Sequence, residues 1–341
     1  MNLQIVASII AAIALLGLSR PAEASTLVID PVFDSSITGD ANVLAIEGAI
    51  DAAITTIEGD ITSPNNIAVH IYFTEMSTGL GQSETSIYAP SYDQYYNAFK
   101  TVATSPDQQT ALASLGTAPT SSGSGNPVNG STMVVVTSAE GRNLGLSTPG
   151  TILLGGNKYD TEISLNTSLT FPPQPNNGGF YGLESVAMHE IDESLGIGGT
   201  GSTLTGSGGA LNGAVGDLDL FRYSAPGVRS FSNAQATTPY SYFSIDGGNT
   251  VLSYFNQTDG ADFADWLSNP IPSGFSAQVQ DAFGAPGTNP ALGRNELSAF
   301  SAIGYTLQTT TAPEPSSLLM SFSALAIFAG VHWRRRYNVN N

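Results

Sequence analysis

Apolar residues spaced three and four positions apart identify the first long element of the chain. Between Val43 and Ile61, isoleucine recurs at this spacing, and Asp40 before it is a residue type that caps helices. The pattern predicts a long amphipathic helix. Alternation of apolar residues from Ile67 to Phe73 predicts a strand after that helix. The β-branched stretch from Thr26 to Phe33 predicts another strand before it.

Shorter periodic stretches predict the remaining elements. Aromatic residues at helical spacing mark a helix in 91–104, and Ser105 followed by Pro106 begins a second short helix. Apolar runs predict strands at 132–137, 152–154 and 162–165. Two further runs flanking 246–249 predict a β-hairpin, and 296–303 predicts a last helix. This order predicts an α+β fold with a mixed sheet, a long N-terminal helix and a loop-rich C-terminal half.

A helix predicted from Leu183 to Leu195 carries the densest polar chemistry of the chain. His189 and Glu193 are four residues apart, so both side chains can point at one ion. Together with Glu190 they flank an apolar arc, where carboxylates need a partner, and a metal ion is the obvious one. Glycines at 196, 198 and 199 are expected to end the helix.

Composition narrows the chemistry that the chain can perform. None of the 341 residues is cysteine, which excludes disulfides, thiolate zinc sites and a cysteine nucleophile. The net charge of −18 makes nucleic acid and anionic membrane surfaces unfavourable partners and suits cation binding. Charged residues make up only 11% of the chain and glycines number 37, as expected for a loop-rich exported protein.

Both ends of the chain carry apolar segments. Residues 1–24 are predicted to be a signal peptide, because the apolar run 5–18 precedes Ala22-Glu23-Ala24, an A-x-A cleavage site. One domain is predicted at 25–307 and a linker at 308–315. Residues 316–341 contain an apolar stretch of marginal length for a membrane span. An arginine cluster follows that stretch and would stay on the cytoplasmic side, namely Arg334, Arg335 and Arg336.

The C-terminal end resembles a known sorting signal. Pro313-Glu314-Pro315, the apolar stretch and the arginine cluster together are similar to the PEP-CTERM signal of Gram-negative bacteria. The resemblance implies an exported protein that signal peptidase and a membrane exosortase process. It also implies a precursor held transiently in the inner membrane by its C-terminal segment, followed by release or attachment at the cell surface.

The central helix resembles the active-site helix of zincin metalloproteases, closest to the matrixin type. The residues that carry the resemblance are Leu183-x-x-Val186-Ala187-x-His189-Glu190-x-x-x-x-Leu195-Gly196. Residues 296–305 are similar to the closing helix of that domain. From Thr26 to Tyr305 the chain resembles a group of predicted bacterial metalloproteases that often carry PEP-CTERM tails.

The zincin resemblance implies a role for each matching residue. His189 would be a zinc ligand and Glu190 the general base in hydrolysis of a peptide bond. The chain departs from the family's H-E-x-x-H motif because Glu193 replaces the second histidine. Gly199 occupies the third ligand position of metzincins, and no Met-turn methionine follows. A carboxylate such as Glu193 can still bind zinc.

The zincin resemblance does not identify the third metal ligand. Asp219 or Asp217 is the expected candidate, because both follow the glycine-rich loop 198–216. Arg222 is expected to pair with a nearby carboxylate. The aspartates at 259, 262 and 265 are most simply a solvated acidic loop, although their hard oxygen ligands would suit calcium.

Three functions compete at this point. The first is an exported zinc-dependent endopeptidase acting on protein or peptide substrates. The second is a catalytically silent zincin fold used as a surface or extracellular matrix protein, which Glu193, Gly199 and the C-terminal sorting tail favour. The third and weakest is a carbohydrate-binding or adhesive β-rich protein, which the Gly, Ser, Thr and Asn content and the tyrosines suggest.

Overall fold

The computed structural model describes residues 26–171, 179–199, 215–230, 240–258 and 260–308. One compact unit ends at Leu307, and Gln308–Asn341 form a second unit, of which only Gln308 is described. The predicted signal peptide, the rest of the linker and the C-terminal sorting segment with its arginines lie outside the described residues. Among the described helices, none is both long and apolar enough to cross a membrane.

The helices and strands follow the predicted order. The helices are α1 (Ser35–Thr38), α2 (Val43–Asp60), α3 (Tyr92–Val102), α4 (Pro106–Ser114), α5 (Ser138–Asn143), α6 (Leu183–Leu195) and α7 (Arg294–Ala302), with a 3-10 turn at Leu218–Phe221. The strands are β1 (Leu27–Phe33), β2 (Ile61–Thr62), β3 (Ile67–Glu75), β4 (Gly81–Thr85), β5 (Ile87–Tyr88), β6 (Val134–Thr137), β7 (Ile152–Leu154), β8 (Asn157–Tyr159), β9 (Thr161–Leu165), β10 (Thr170–Phe171), β11 (Tyr181–Gly182), β12 (Val215–Gly216), β13 (Arg222–Ala225), β14 (Val228–Arg229), β15 (Tyr242–Phe243), β16 (Ser253–Tyr254) and β17 (Thr306–Leu307).

The main sheet is mixed, as the sequence predicts. Its strand order is β1-β3-β9-β4, with β1, β3 and β9 parallel and β4 antiparallel to β9. Along β3, Val69, Ile71 and Phe73 are fully buried, whereas Ala68 and His70 on the opposite face are exposed. Strand β4 forms one edge of this sheet.

Helices α2 and α6 pack against each other, and each also contacts the main sheet. The isoleucines that predict α2 provide its buried face, with Ile50 and Ile57 fully inaccessible to solvent. Helix α6 lies against the edge strand β4 and its neighbour β9. The α+β class is therefore confirmed, and the fold places the polar helix beside a sheet edge.

The C-terminal half is built from short strands and irregular segments. The sheet β14-β13-β15-β16 contains the predicted hairpin, in which β15 pairs antiparallel with β16. Trp266 is fully buried and stacks on Phe243 with ring centroids 5.6 Å apart, which anchors the segment around residue 265. Strand β17 pairs with β2 and joins the end of this half to the N-terminal half.

Candidate metal centre

Helix α6 is capped at its start by the side chain of a distant residue and at its end by a glycine. At its start, Asn289 Oδ1 accepts a hydrogen bond from the Ser185 N–H at 3.0 Å and replaces a side-chain cap from the helix itself. At its end, Gly196 adopts φ 116°, a conformation that favours glycine. The helix is therefore fixed with His189, Glu190 and Glu193 facing one cavity.

Three side chains converge at the floor of this cavity. His189 Nε2 lies 3.5 Å from Glu193 Oε1 and 3.7 Å from Asp265 Oδ2. One ligand atom from each of these residues lies within 4.8 Å of the other two. The four-residue spacing on the helix thus brings His189 and Glu193 together, and the third member of the cluster is Asp265.

The imidazole of His189 is oriented by the main chain. Its Nδ1 lies 2.9 Å from the carbonyl oxygen of Val279. Because a carbonyl oxygen can only accept, Nδ1 carries the hydrogen of the neutral ring, and Nε2 presents its lone pair to the cluster. A metal-ligating histidine has this arrangement in most sites.

Both carboxylates are also fixed through the oxygen that faces away from the cluster. Asp265 Oδ1 accepts hydrogen bonds from the Gly199 N–H at 3.0 Å and from Gln280 Nε2 at 2.9 Å. Glu193 Oε2 accepts a hydrogen bond from Ser83 Oγ at 2.5 Å. Each side chain therefore leaves one atom, Asp265 Oδ2 or Glu193 Oε1, for a shared cation.

The electrostatics of the cluster favour a cation. Burial by itself lowers the pKa of His189, but the negative charges of Asp265, Glu193 and Glu190 raise it well above its usual value. Burial, together with the charge of Glu193, raises the pKa of Asp265 to about 7. No lysine or arginine is among the described residues that line the cavity. A bound metal ion would balance these charges.

The donor set fits a zinc ion. One imidazole nitrogen and two carboxylate oxygens leave a fourth tetrahedral position open, as in catalytic zinc sites. Two ligands about 2.0–2.1 Å from an ion at a tetrahedral angle are about 3.3 Å apart. The observed separations of 3.5 and 3.7 Å require only small movements to reach that value.

The cavity has a volume of about 630 Å³ and joins the cluster to the sheet edge. Edge strand β4 contributes one wall, and Tyr181 and Phe283 contribute apolar surface. Glu190 lies against β4, where a Cβ added to Gly81 would approach its Oε1 to 2.3 Å. A glycine at position 81 is therefore needed for Glu190 to occupy its place beside the cluster.

Asp219 and Asp217, the third ligands expected from the sequence, are not among the three side chains of the cluster, where Asp265 takes that place. Asp219 Oδ1 accepts a hydrogen bond from Arg222 Nε at 3.0 Å, and Arg222 is fully buried. The expected ion pair of Arg222 is thus present, and it occupies this aspartate. Asp217 Oδ1 instead accepts from the Leu218 N–H at 2.8 Å, and its carboxyl group contacts Glu140.

The expectation of a solvated acidic loop also needs correction. Asp265 is only 2% exposed and Asp262 is half-buried in the cavity wall, while residue 259 lies outside the described residues. The sequence held a signal for this, because Asp265 interrupts the apolar run Phe263–Leu267 and a carboxylate there needs a partner. Gly199, ten residues after His189, supplies a backbone N–H to Asp265.

Comparison with protein-family models gives no match for this chain, and curated proteins and solved structures give none either. The inference of function therefore depends on the geometry of the cluster and its cavity.

Proposed function

We propose that this protein is a zinc-dependent endopeptidase of the zincin type, with His189, Glu193 and Asp265 as the metal ligands. The observation that carries the proposal is the orientation of these three side chains. Each is anchored through its outward atom and presents its other atom to one point on the cavity floor. Such anchoring is typical of metal sites, where the partners of the ligands fix their direction. A zinc ion held there would supply a Lewis acid with an open coordination position.

Glu190 is the proposed general base. It is 5% exposed, and burial together with the charge of Glu193 raises its pKa well above the usual value. A nearby cation would lower that pKa again and keep the carboxylate ready to accept a proton from the attacking water. Because Glu190 lines the same cavity as the three ligands, this proton transfer needs no rearrangement of the helix.

Strand β4 is the proposed binding edge for the substrate. It is an edge strand of the main sheet and forms one wall of the cavity. An extended peptide can pair with the free backbone groups of such an edge. Paired there, the peptide would run past Glu190 and the metal ligands, which favours an internal peptide bond as the target.

The proposal is tested by replacing the base without touching the ligands. Glu190→Gln should bind zinc as wild type does, yet hydrolyse protein substrates at least about 10²-fold more slowly, the lower end of general-base contributions. Zinc content is measured by mass spectrometry and hydrolysis with casein and a fluorogenic peptide library. Glu47→Gln, the same chemical change on helix α2 outside the residues that line the cavity, is the matched control and should keep full activity.

Two outcomes would reject the proposed activity. A zinc-loaded wild type that cleaves no substrate, together with unchanged properties of Glu190→Gln, would favour the catalytically silent surface protein. Two carboxylates beside one imidazole make the bound ion a weaker Lewis acid, which is the observation that supports this second candidate. Wild type that binds no zinc would reject both.

We also infer export of this protein from its ends. The N-terminal apolar run with its A-x-A site and the Pro313-Glu314-Pro315 segment with its arginine cluster support processing by signal peptidase and an exosortase. Shortening of the chain at both ends in exported material, read by intact-mass spectrometry, would test this.

A further inference from the structure

A second, smaller cavity also borders Glu193. Its volume is about 80 Å³, and Glu193 and Ser83 border both cavities. Besides Glu193, two buried carboxyl groups line it, Glu140 from helix α5 and Asp217 from the segment after β12. The metal centre described above uses neither of them.

Both carboxyl groups are built into the fold in the same way as the zinc ligands. Glu140 is fully buried, and its Oε2 accepts a hydrogen bond from the Thr137 N–H at 3.3 Å. Asp217 is 4% exposed, and its Oδ1 accepts from the Leu218 N–H. The remaining oxygens, Glu140 Oε1 and Asp217 Oδ2, are buried and have no hydrogen-bond donor among the described residues.

The charges around this pair are uncompensated. The two carboxyl groups are within hydrogen-bonding reach of each other, but two carboxylates can only accept. Arg142, in the same helix as Glu140, pairs with Asp160, and Arg222 pairs with Asp219. No lysine or arginine is among the described residues lining the cavity. Something positive, a proton or a metal cation, must lie between the two groups.

We propose that Glu140 and Asp217 form a second cation site, structural in role, that takes calcium. The available donors are all oxygens, which calcium prefers, whereas the first cluster offers the imidazole that zinc prefers. Ser83, Thr85 and Thr137, whose side chains carry oxygen atoms, also line the cavity. Because one water occupies about 30 Å³, the space accommodates an ion with one or two waters. This proposal does not depend on peptidase activity.

The position of the site indicates which segments of the chain a bound ion would link. Gly196 and Gly199 at the end of helix α6 line the same cavity as β6 and the residue after β12. A cation held there would join these three segments behind the zinc ligand Glu193. Calcium should therefore raise the thermal stability of the folded protein, since it binds the assembled site and not the unfolded chain.

The test is a calcium titration of the full chain, first stripped of metal and then saturated with zinc. At about 100 times its Kd, calcium should raise the Tm of wild type by about 5 °C. Glu140→Gln and Asp217→Asn should lose this response, and Asp51→Asn, an exposed site on α2, should keep it. Terbium luminescence excited through tyrosine gives a second readout. Tyr95 is fully buried, and burial together with the charges of Asp217 and Glu140 raises its pKa, which indicates that its ring lies near both carboxyl groups. Tyr95→Phe should therefore weaken the emission while keeping the fold.

Two results would overturn the proposal. If calcium leaves the Tm of wild type unchanged and Glu140→Gln is as stable as wild type, a shared proton joins the two groups and no cation binds. If the calcium response survives in Glu140→Gln and disappears in Asp265→Asn, calcium binds at the first cluster instead.

Discussion

Asp219 and Asp265 are two equally buried aspartates with opposite surroundings. They are 1% and 2% exposed, so each has left water almost completely. Asp219 meets the guanidinium of Arg222, which also donates to the Phe263 carbonyl and lies 3.7 Å above the Phe255 ring. Asp265 receives only neutral N–H donors, while its free oxygen faces the imidazole of His189 and a second carboxylate.

The contrast shows how a buried carboxylate can be assigned a role from its partners. A charge that a guanidinium already neutralises has no need for a metal ion. A second kind of carboxylate accepts hydrogen bonds only from neutral donors and keeps one oxygen free beside other ligand atoms. The charge of such a carboxylate is not neutralised by its hydrogen bonds, so a bound cation would stabilise it. By this criterion Asp219 is an ion-pair partner and Asp265 is the proposed ligand, although both follow the central helix and both are acidic.

Removing the charge of Asp219 should produce the largest effect on stability. Asp219→Asn would leave Arg222 charged, buried and without a counter-ion, which typically costs about 3–5 kcal/mol of unfolding free energy. Urea unfolding monitored by tryptophan fluorescence measures the loss, with Asp51→Asn as the surface control. The folded fraction of the variant should still bind one zinc ion. A loss below about 1 kcal/mol, the range of exposed ion pairs, would contradict the assignment.

Removing the charge of Asp265 should act on the metal and not on the fold. Replacing a residue that only hydrogen-bonds to a metal ligand typically weakens metal binding by about 10–100-fold. Asp265→Asn removes a proposed ligand itself, so it should weaken zinc binding by more than this. The metal-free variant should keep the fold, because an amide oxygen at this position can accept the same hydrogen bonds from the Gly199 N–H and Gln280 Nε2. Zinc affinity is measured by competition with a chromogenic chelator. Normal affinity in Asp265→Asn, with lost affinity in Asp217→Asn, would restore the ligand expected from the sequence.

The sequence predicts the parts of the site that lie on one regular element. The spacing of His189, Glu190 and Glu193 is a property of the helix alone, and Gly196 ends that helix as expected. The long helix and the mixed sheet follow from periodicity in the same way. In each case the signal lies within a few turns or a single strand, where local geometry determines which side chains share a face.

The sequence could not predict the partners that other segments bring to the helix. Asp265 reaches His189 because the segment around Trp266 packs against Phe243 and Phe255, and this segment has no helical or strand period. The sequence does contain a signal that Asp219 forms an ion pair and does not bind the metal, because Arg222 follows it by three residues. That local ion pair prevails over a distant metal site because it needs no loop closure.

The smallest expected effect concerns Asp217, which lies two positions before Asp219 but lacks a cationic partner. Burial raises its pKa from 3.8 to about 7, so the folded state holds a proton that the unfolded state loses between these values. The contribution of Asp217 to stability is therefore fully present below about pH 4 and is lost as pH rises through about 7. In metal-free buffer, the unfolding free energy of wild type minus that of Asp217→Asn should fall across this window. Calcium should reverse the trend above pH 7, because the ionised pair then holds a cation instead of a proton. Parallel pH profiles for the two proteins, with and without calcium, would show that Asp217 is as well compensated as Asp219.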